Sequence, residues 1–173
     1  MTGFKPRYAD IGFLYPTTRL GRLIAKIDGG PYSHVNLCLG AKWVDLSDYN
    51  VRFQLLKPGM RLDVFRPIKP LTAQERIRLW DFCQANRNRR YGYVTLLRLW
   101  WWYTLAKIFP INMKRVMLTG SGYVCSTFVD SAFKFAGRDL RPYLDESITG
   151  PRHLSFSYQL KEVCHNYIVP EVA

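Results

Sequence analysis

Four cysteines and three histidines are the residues in this chain most able to do nucleophilic chemistry. A cysteine attacks as its thiolate, so it needs surroundings that depress its pKa. The start of a helix supplies them, through N–H groups without helical partners and the positive end of the dipole. Cys125 alone is placed that way. It follows Gly120-Ser121-Gly122 and opens a segment whose apolar positions Phe128, Val129, Ala132, Phe135 and Ala136 recur at helical spacing. Its own amide would also point towards an oxyanion. The plain alternative is a core cysteine. Cys83 falls in the middle of an expected helix, where a cysteine usually serves as a small hydrophobe. Cys38 shares a strand face with His34 but lies four residues on, about 13 Å at 3.3 Å per residue, too far for direct proton transfer. Cys164 adjoins His165, yet successive strand residues point to opposite faces.

A base for Cys125 is offered by His34, within Pro31-Tyr-Ser-His-Val-Asn-Leu-Cys-Leu-Gly40. Ser33 to Leu39 of this run reads as a strand, joined by a tight turn at Gly40-Ala41 to Lys42-Trp-Val-Asp-Leu-Ser47. The hairpin puts Asp45 or Ser47 opposite His34, according to the turn register. A carboxylate there would hold the imidazole in the tautomer that accepts a thiol proton and would stabilise the imidazolium, which favours Asp45. The alternative is an ordinary exposed hairpin acid. His153 falls in an expected loop, Thr149-Gly-Pro-Arg-His-Leu154, and His165 in the last strand. Neither carries a strong signal. His34 with Cys38, or Cys164 with His165, would need metal-ligating partners that the local spacing does not supply, so no metal is expected. No glycine-rich nucleotide loop occurs, and no cofactor is expected.

These residues must be positioned by elements that the pattern outlines. Ile11 to Tyr15 is a short apolar run suited to a buried strand. Thr17 or Thr18 caps a helix carrying Leu20, Leu23, Ile24 and Ile27, stopped by Gly29-Gly30. A strand runs from about Met60 to Arg66. Thr72 and Glu75 form a capping-box signature for a helix over Ala73 to Asn86. The helix that begins near Cys125 ends at Gly137, and Tyr158 to Val169 supplies a last strand. Strands clustered early with helices around them predict an α+β domain. With no repeat or linker, residues 1–173 read as one domain with a Trp-rich apolar insertion at about 94–118.

The 173 residues are 48% apolar and 15% aromatic, which excludes general disorder. The net charge of +12 favours a polyanionic neighbour such as anionic lipid, a cell-wall polymer or nucleic acid. No nucleic-acid motif accompanies it, and no nucleic-acid partner is expected. The scattered cysteines and the lack of a signal-peptide pattern predict reduced thiols in the cytoplasm.

In order along the chain, Ala9-Asp-Ile-Gly-Phe-Leu14, Arg22-Leu-Ile24, Tyr32-Ser-His-Val35, Trp43-Val-Asp-Leu46, Leu62-Asp-Val-Phe-Arg-Pro67, Arg90-Tyr-Gly-Tyr93, Tyr123-Val-Cys-Ser-Thr-Phe-Val129 and Thr149-Gly-Pro-Arg-His-Leu154 match a known pattern. Most of the chain thereby resembles the permuted NlpC/P60 superfamily, and within it the YiiX/YaeF-like hydrolases. The lecithin:retinol acyltransferase-like group shares the same His-before-Cys order. Each block is short, and their shared order carries the resemblance. It implies a permuted papain-like α+β fold, with an antiparallel sheet packed on the nucleophile helix. It implies a cysteine hydrolase or acyltransferase in which Cys125 attacks an amide or ester carbonyl after His34 takes its proton. Asp45 matches the third position, which commonly holds His or Glu in these groups. Tyr91 or Tyr93, with Ser126, would lie near the oxyanion or substrate.

Val94 to Phe109 is apolar on nearly every side, but Arg98 and Lys107 interrupt it and it is shorter than the roughly 20 residues that span a bilayer. Trp100, Trp101 and Trp102 between basic flanks (Arg87, Arg89, Arg90, Lys114, Arg115) suit a membrane headgroup region. A buried helix is the alternative. A lipid or acylated substrate at an anionic membrane surface is therefore expected, with a cell-wall peptide as its rival. A noncatalytic membrane-binding module is the reading of a different class.

Overall fold

The structure is a computed structural model that describes residues 4–47, 50–88, 125–142 and 150–171. Tyr91, Tyr93, the three consecutive tryptophans and the whole 94–118 stretch lie outside the described residues.

Ile11–Leu14 forms strand β1, buried along its whole length as its continuous apolar run requires. Helix α1 follows at Arg19–Asp28. The Thr18 hydroxyl accepts from the Gly21 amide at 3.0 Å, and Gly29 closes the helix with φ at 69°. Strands β2 (His34–Cys38) and β3 (Trp43–Ser47) are the expected hairpin, and β5 (Arg61–Pro67) matches the strand expected before Pro67. Between them lies β4, Asn50–Gln54, which the sequence reading did not anticipate. Helix α2 (Ala73–Ala85) starts with the reciprocal capping box: the Glu75 amide donates to Thr72 Oγ1 and the Thr72 amide to Glu75 Oε2. Helix α3 spans Cys125–Phe135, α4 spans Pro151–Ser155, and β6 spans Leu160–Ile168.

The six strands form one sheet in the order β4-β3-β2-β1-β5-β6, every neighbouring pair antiparallel. With α1, α2, α3 and α4 this is an α+β fold. One sheet face carries Ile11, Phe13, Val35, Leu37 and Val44 into a core shared with Leu79 and Cys83 of α2 and with Phe128, Val129, Ala132 and Phe133 of α3. Two details differ from expectation. Phe133 faces inward, whereas Phe135 is exposed, because a stripe at 128, 129, 132, 133 and 136 keeps the 3.6-residue period that position 135 leaves. His153 sits on α4, not in a loop: Pro151 at the first turn favours helix.

The opposite face carries Leu14, Cys38, Trp43, Leu62 and Val64. Gly12 lies beneath them. A Cβ there would come within 2.5 Å of Leu62 Cδ1 and 3.0 Å of Trp43 Cζ3. Gly12→Ala is expected to cost about 1–3 kcal/mol through overpacking, lowering the melting midpoint by about 2–4 °C for each kcal/mol. Thermal unfolding checks this, and an unchanged midpoint would mean that the indole moves aside freely.

Candidate active site

His34 opens β2, and its ring Nε2 lies 2.6 Å from Asp45 Oδ1 of β3. Pairs Leu37 with Val44 and Cys38 with Trp43 set the hairpin register. Continued to the strand ends, that register sets Ser47 across from His34 and Asn36 across from Asp45. The carboxylate therefore reaches the ring along the diagonal of one sheet face, within range of such neighbours. Asp45 is buried, and its second oxygen accepts from the side-chain amide of Gln54 on β4. Gln54 stands opposite Trp43, so it too approaches Asp45 diagonally. Each of the two oxygens is therefore engaged, and the carboxylate is held in one orientation.

Cys125, at the first position of α3, is buried and hydrogen-bonded to His34. Since Nε2 serves Asp45, Nδ1 is the ring nitrogen available to the thiol. Burial by itself would raise the Cys125 pKa. The positive charge of His34, its hydrogen bond, and backbone hydrogen bonds from Val35 and Ser126 outweigh burial and lower it. For His34, burial by itself would lower the pKa. The Cys125 thiolate, then the hydrogen bonds to Asp45 and Cys125, push it up to about 10. Both shifts run in the direction that favours thiolate and imidazolium side by side. The other three thiols move the opposite way. Burial pushes Cys83 up to about 12 and Cys38 up to about 11, and it raises Cys164 as well.

Ser126 is buried, and its contribution at Cys125 is made by its backbone. Tyr91, Tyr93, Trp100, Trp101 and Trp102 lie outside the described residues. Gln54 was missed because β4 was missed, although the alternation of Val51 and Phe53 was available as a strand signal.

A second group of donors gathers elsewhere, between β5 and β6. His165 Nδ1 is 3.1 Å from Asp63 Oδ1 and 3.1 Å from Glu162 Oε1. Among the described residues this is the one set of three His, Cys or acidic side chains whose donor atoms converge, all within 4.8 Å. Cys125, His34 and Asp45 do not converge, since thiol and carboxylate take opposite nitrogens of one ring. The segment around His165 does not itself show this grouping, because Asp63 comes from the neighbouring strand. His153 is half-exposed, with Nδ1 3.5 Å from Asp28 Oδ1.

No protein-family profile matches the sequence, and no curated protein does. The structure is similar to that of YiiX from Escherichia coli O157:H7, a DUF1105 protein described as a metalloprotein. The TM-score is 0.66 and the identity 14%, over 94% of this chain and 98% of that one. Similarity at this identity bears on the fold, and the fold is the YiiX-like one that the ordered motifs resemble. The chain therefore carries the YiiX fold, an α+β architecture with a six-stranded antiparallel sheet.

Proposed function

We propose that this chain is a cysteine hydrolase or acyltransferase, a permuted papain-like domain that cleaves an amide or ester through an acyl-enzyme on Cys125. One observation carries the reading: a single imidazole bridges a buried thiol at a helix start and a buried carboxylate. In this reading the Cys125 thiolate attacks the acyl carbonyl carbon, and the carbonyl electrons move onto oxygen. The amide at the start of α3 faces that oxyanion. The tetrahedral intermediate collapses, the bond to the leaving group breaks, and His34 delivers its Nδ1 proton to the departing amine or alkoxide. Water, or an acceptor hydroxyl or amine, then gives a proton to His34 and attacks the thioester. This releases the acyl product and restores the thiolate. Asp45 keeps Nε2–H bonded throughout, and Gln54 keeps Asp45 in place.

A lipid or acylated substrate is supported by the net charge of +12 and by the tryptophans between basic flanks. Those features also support a peripheral position at an anionic membrane. No described helix is long and apolar enough to cross a membrane. YiiX is described as a metalloprotein. In this chain Asp63, Glu162 and His165 would hold a metal, which there would polarise water or an oxygen ligand, and the acyl-transfer steps above use Cys125, His34 and Asp45.

Iodoacetamide labelling of each cysteine against pH, read by mass spectrometry, tests the pairing. Cys125 is expected to react fastest, and to keep reacting well below the free-thiol pKa of about 8.5. In His34→Ala its rate at pH 6 should fall by at least about tenfold, since each unit of raised pKa removes that factor of thiolate, while Cys83 stays unreactive. An inert Cys125, or one indifferent to His34, would leave a noncatalytic membrane-binding module as the better account.

A further inference from the structure

We infer that Asp63, Glu162 and His165 form a binding site for a first-row transition dication of the zinc type, built by irregular pairing between β5 and β6. The inference starts from the backbone. In a regular strand, residues three apart point to opposite faces, yet Glu162 and His165 both reach towards Asp63. The pairing explains how. Leu62 faces Tyr167, Val64 faces Cys164, and Phe65 faces Glu162, so β6 gains one residue at each of two successive steps. The first extra residue falls at His165-Asn166, where Asn166 takes φ of 54°, a left-handed conformation rare outside glycine. The second falls at Val163. Bulges of this kind re-aim side chains, and here two of them in six residues turn one histidine and one glutamate onto a single carboxylate.

That carboxylate is already fixed. Asp63 is buried, and its Oδ2 accepts from the Tyr32 hydroxyl at 2.6 Å and the Tyr15 hydroxyl at 2.8 Å. Its Oδ1 accepts from the Asn166 amide at 2.7 Å and lies 3.1 Å from His165 Nδ1. A ligating carboxylate held by neighbouring donors in this way is the usual support of a metal site. The distances suit an ion as well. Metal–nitrogen and metal–oxygen bonds of about 2.0–2.2 Å, set at angles between 90° and tetrahedral, give ligand-to-ligand edges of roughly 2.9–3.5 Å. The two N···O separations of 3.1 Å fall inside that range, and the third edge, between the two carboxylates, is within 4.8 Å. His165 would hold a cation through its Nδ1 lone pair, with the ring proton on Nε2. One nitrogen and two carboxylate oxygens suit zinc, nickel or cobalt better than magnesium or calcium, which prefer oxygen alone. Glu162 and His165 are exposed, which gives an ion access.

Isothermal titration with zinc chloride, on the Cys125→Ser chain stripped by a chelator, tests this without the nucleophile thiol as a competing ligand. One equivalent is expected to bind in the micromolar range or tighter, with nickel also binding and magnesium not. His165→Ala and Glu162→Gln each replace an exposed side chain, and each should weaken zinc by at least about tenfold while leaving the circular dichroism unchanged. Failure to bind zinc, or undiminished binding in His165→Ala, overturns the assignment. Neither result bears on acyl transfer at Cys125, whose labelling experiment is separate.

Discussion

Cys125→Ala protein releases no burst of nitrophenol from a p-nitrophenyl acyl ester, and its turnover falls by about 10⁴–10⁶-fold. That is the expected result when the nucleophile of a coupled set is removed, because its partners have nothing left to activate. Mass spectrometry of the quenched wild-type reaction should find the acyl group on the peptide that begins α3. The fold should survive, since the change removes one sulfur atom from a buried position at a helix end. A circular dichroism spectrum matching wild type separates lost chemistry from lost structure. A burst that persists in the alanine protein would end the acyl-enzyme reading, whatever the reactivity of the thiol towards iodoacetamide.

Asp45 supplies the second large effect, and two substitutions divide it. Asp45→Ala removes both the charge and the contact that fixes the ring, and kcat/KM should fall by about 10²–10³-fold, as for a misplaced reacting group. Asp45→Asn keeps an oxygen for Nε2–H, and Gln54 can turn its amide over to match the new partner. Because Cys-His-Asn sets also support this chemistry, the asparagine protein should retain most of its activity near neutrality. Its pH profile should nevertheless move. The reactive pair exists above the lowered pKa of Cys125 and below the His34 value of about 10. Asp45 favours the protonated ring, so its neutralisation lowers the alkaline limb and narrows the plateau from above. Equal losses in the two variants, with an unmoved alkaline limb, would mean that Asp45 supports the sheet and not the ring.

Much of this arrangement could be read from residue patterns, and the portions that could not have identifiable causes. Helix starts were legible because their signals are local: Thr18 and the Thr72/Glu75 pair cap the helices they were expected to cap. The hairpin of β2 and β3 was legible from its alternation and tight turn, but the residue across from His34 depended on register. Only the paired strands show that Asp45 reaches the ring diagonally. Strand β4 was harder, since Arg52 and Gln54 make it half polar, and Gln54 went with it. The grouping around Asp63 was out of reach for a different reason. It depends on two extra residues in β6 and a left-handed asparagine, and alternation rules assume that neither exists.

The pairing of Cys125 with His34 joins the two ends of the fold, a strand from the first quarter of the chain and a helix from its last third. The strand supplies the charge that the helix start lacks. Cys125 loses the His34 charge, the His34 hydrogen bond and the Val35 hydrogen bond once the helix leaves the sheet and keeps only what its own helix start supplies, so most of its acidity is a property of the tertiary structure and not of the residue. Protonation and folding are therefore linked equilibria. A substitution far from the site that loosens the seating of α3 on β2 would neutralise the nucleophile before it unfolded the protein. Nucleophilic reactivity would then be lost earlier than secondary structure, and a newly made chain would stay chemically quiet until its last third had docked.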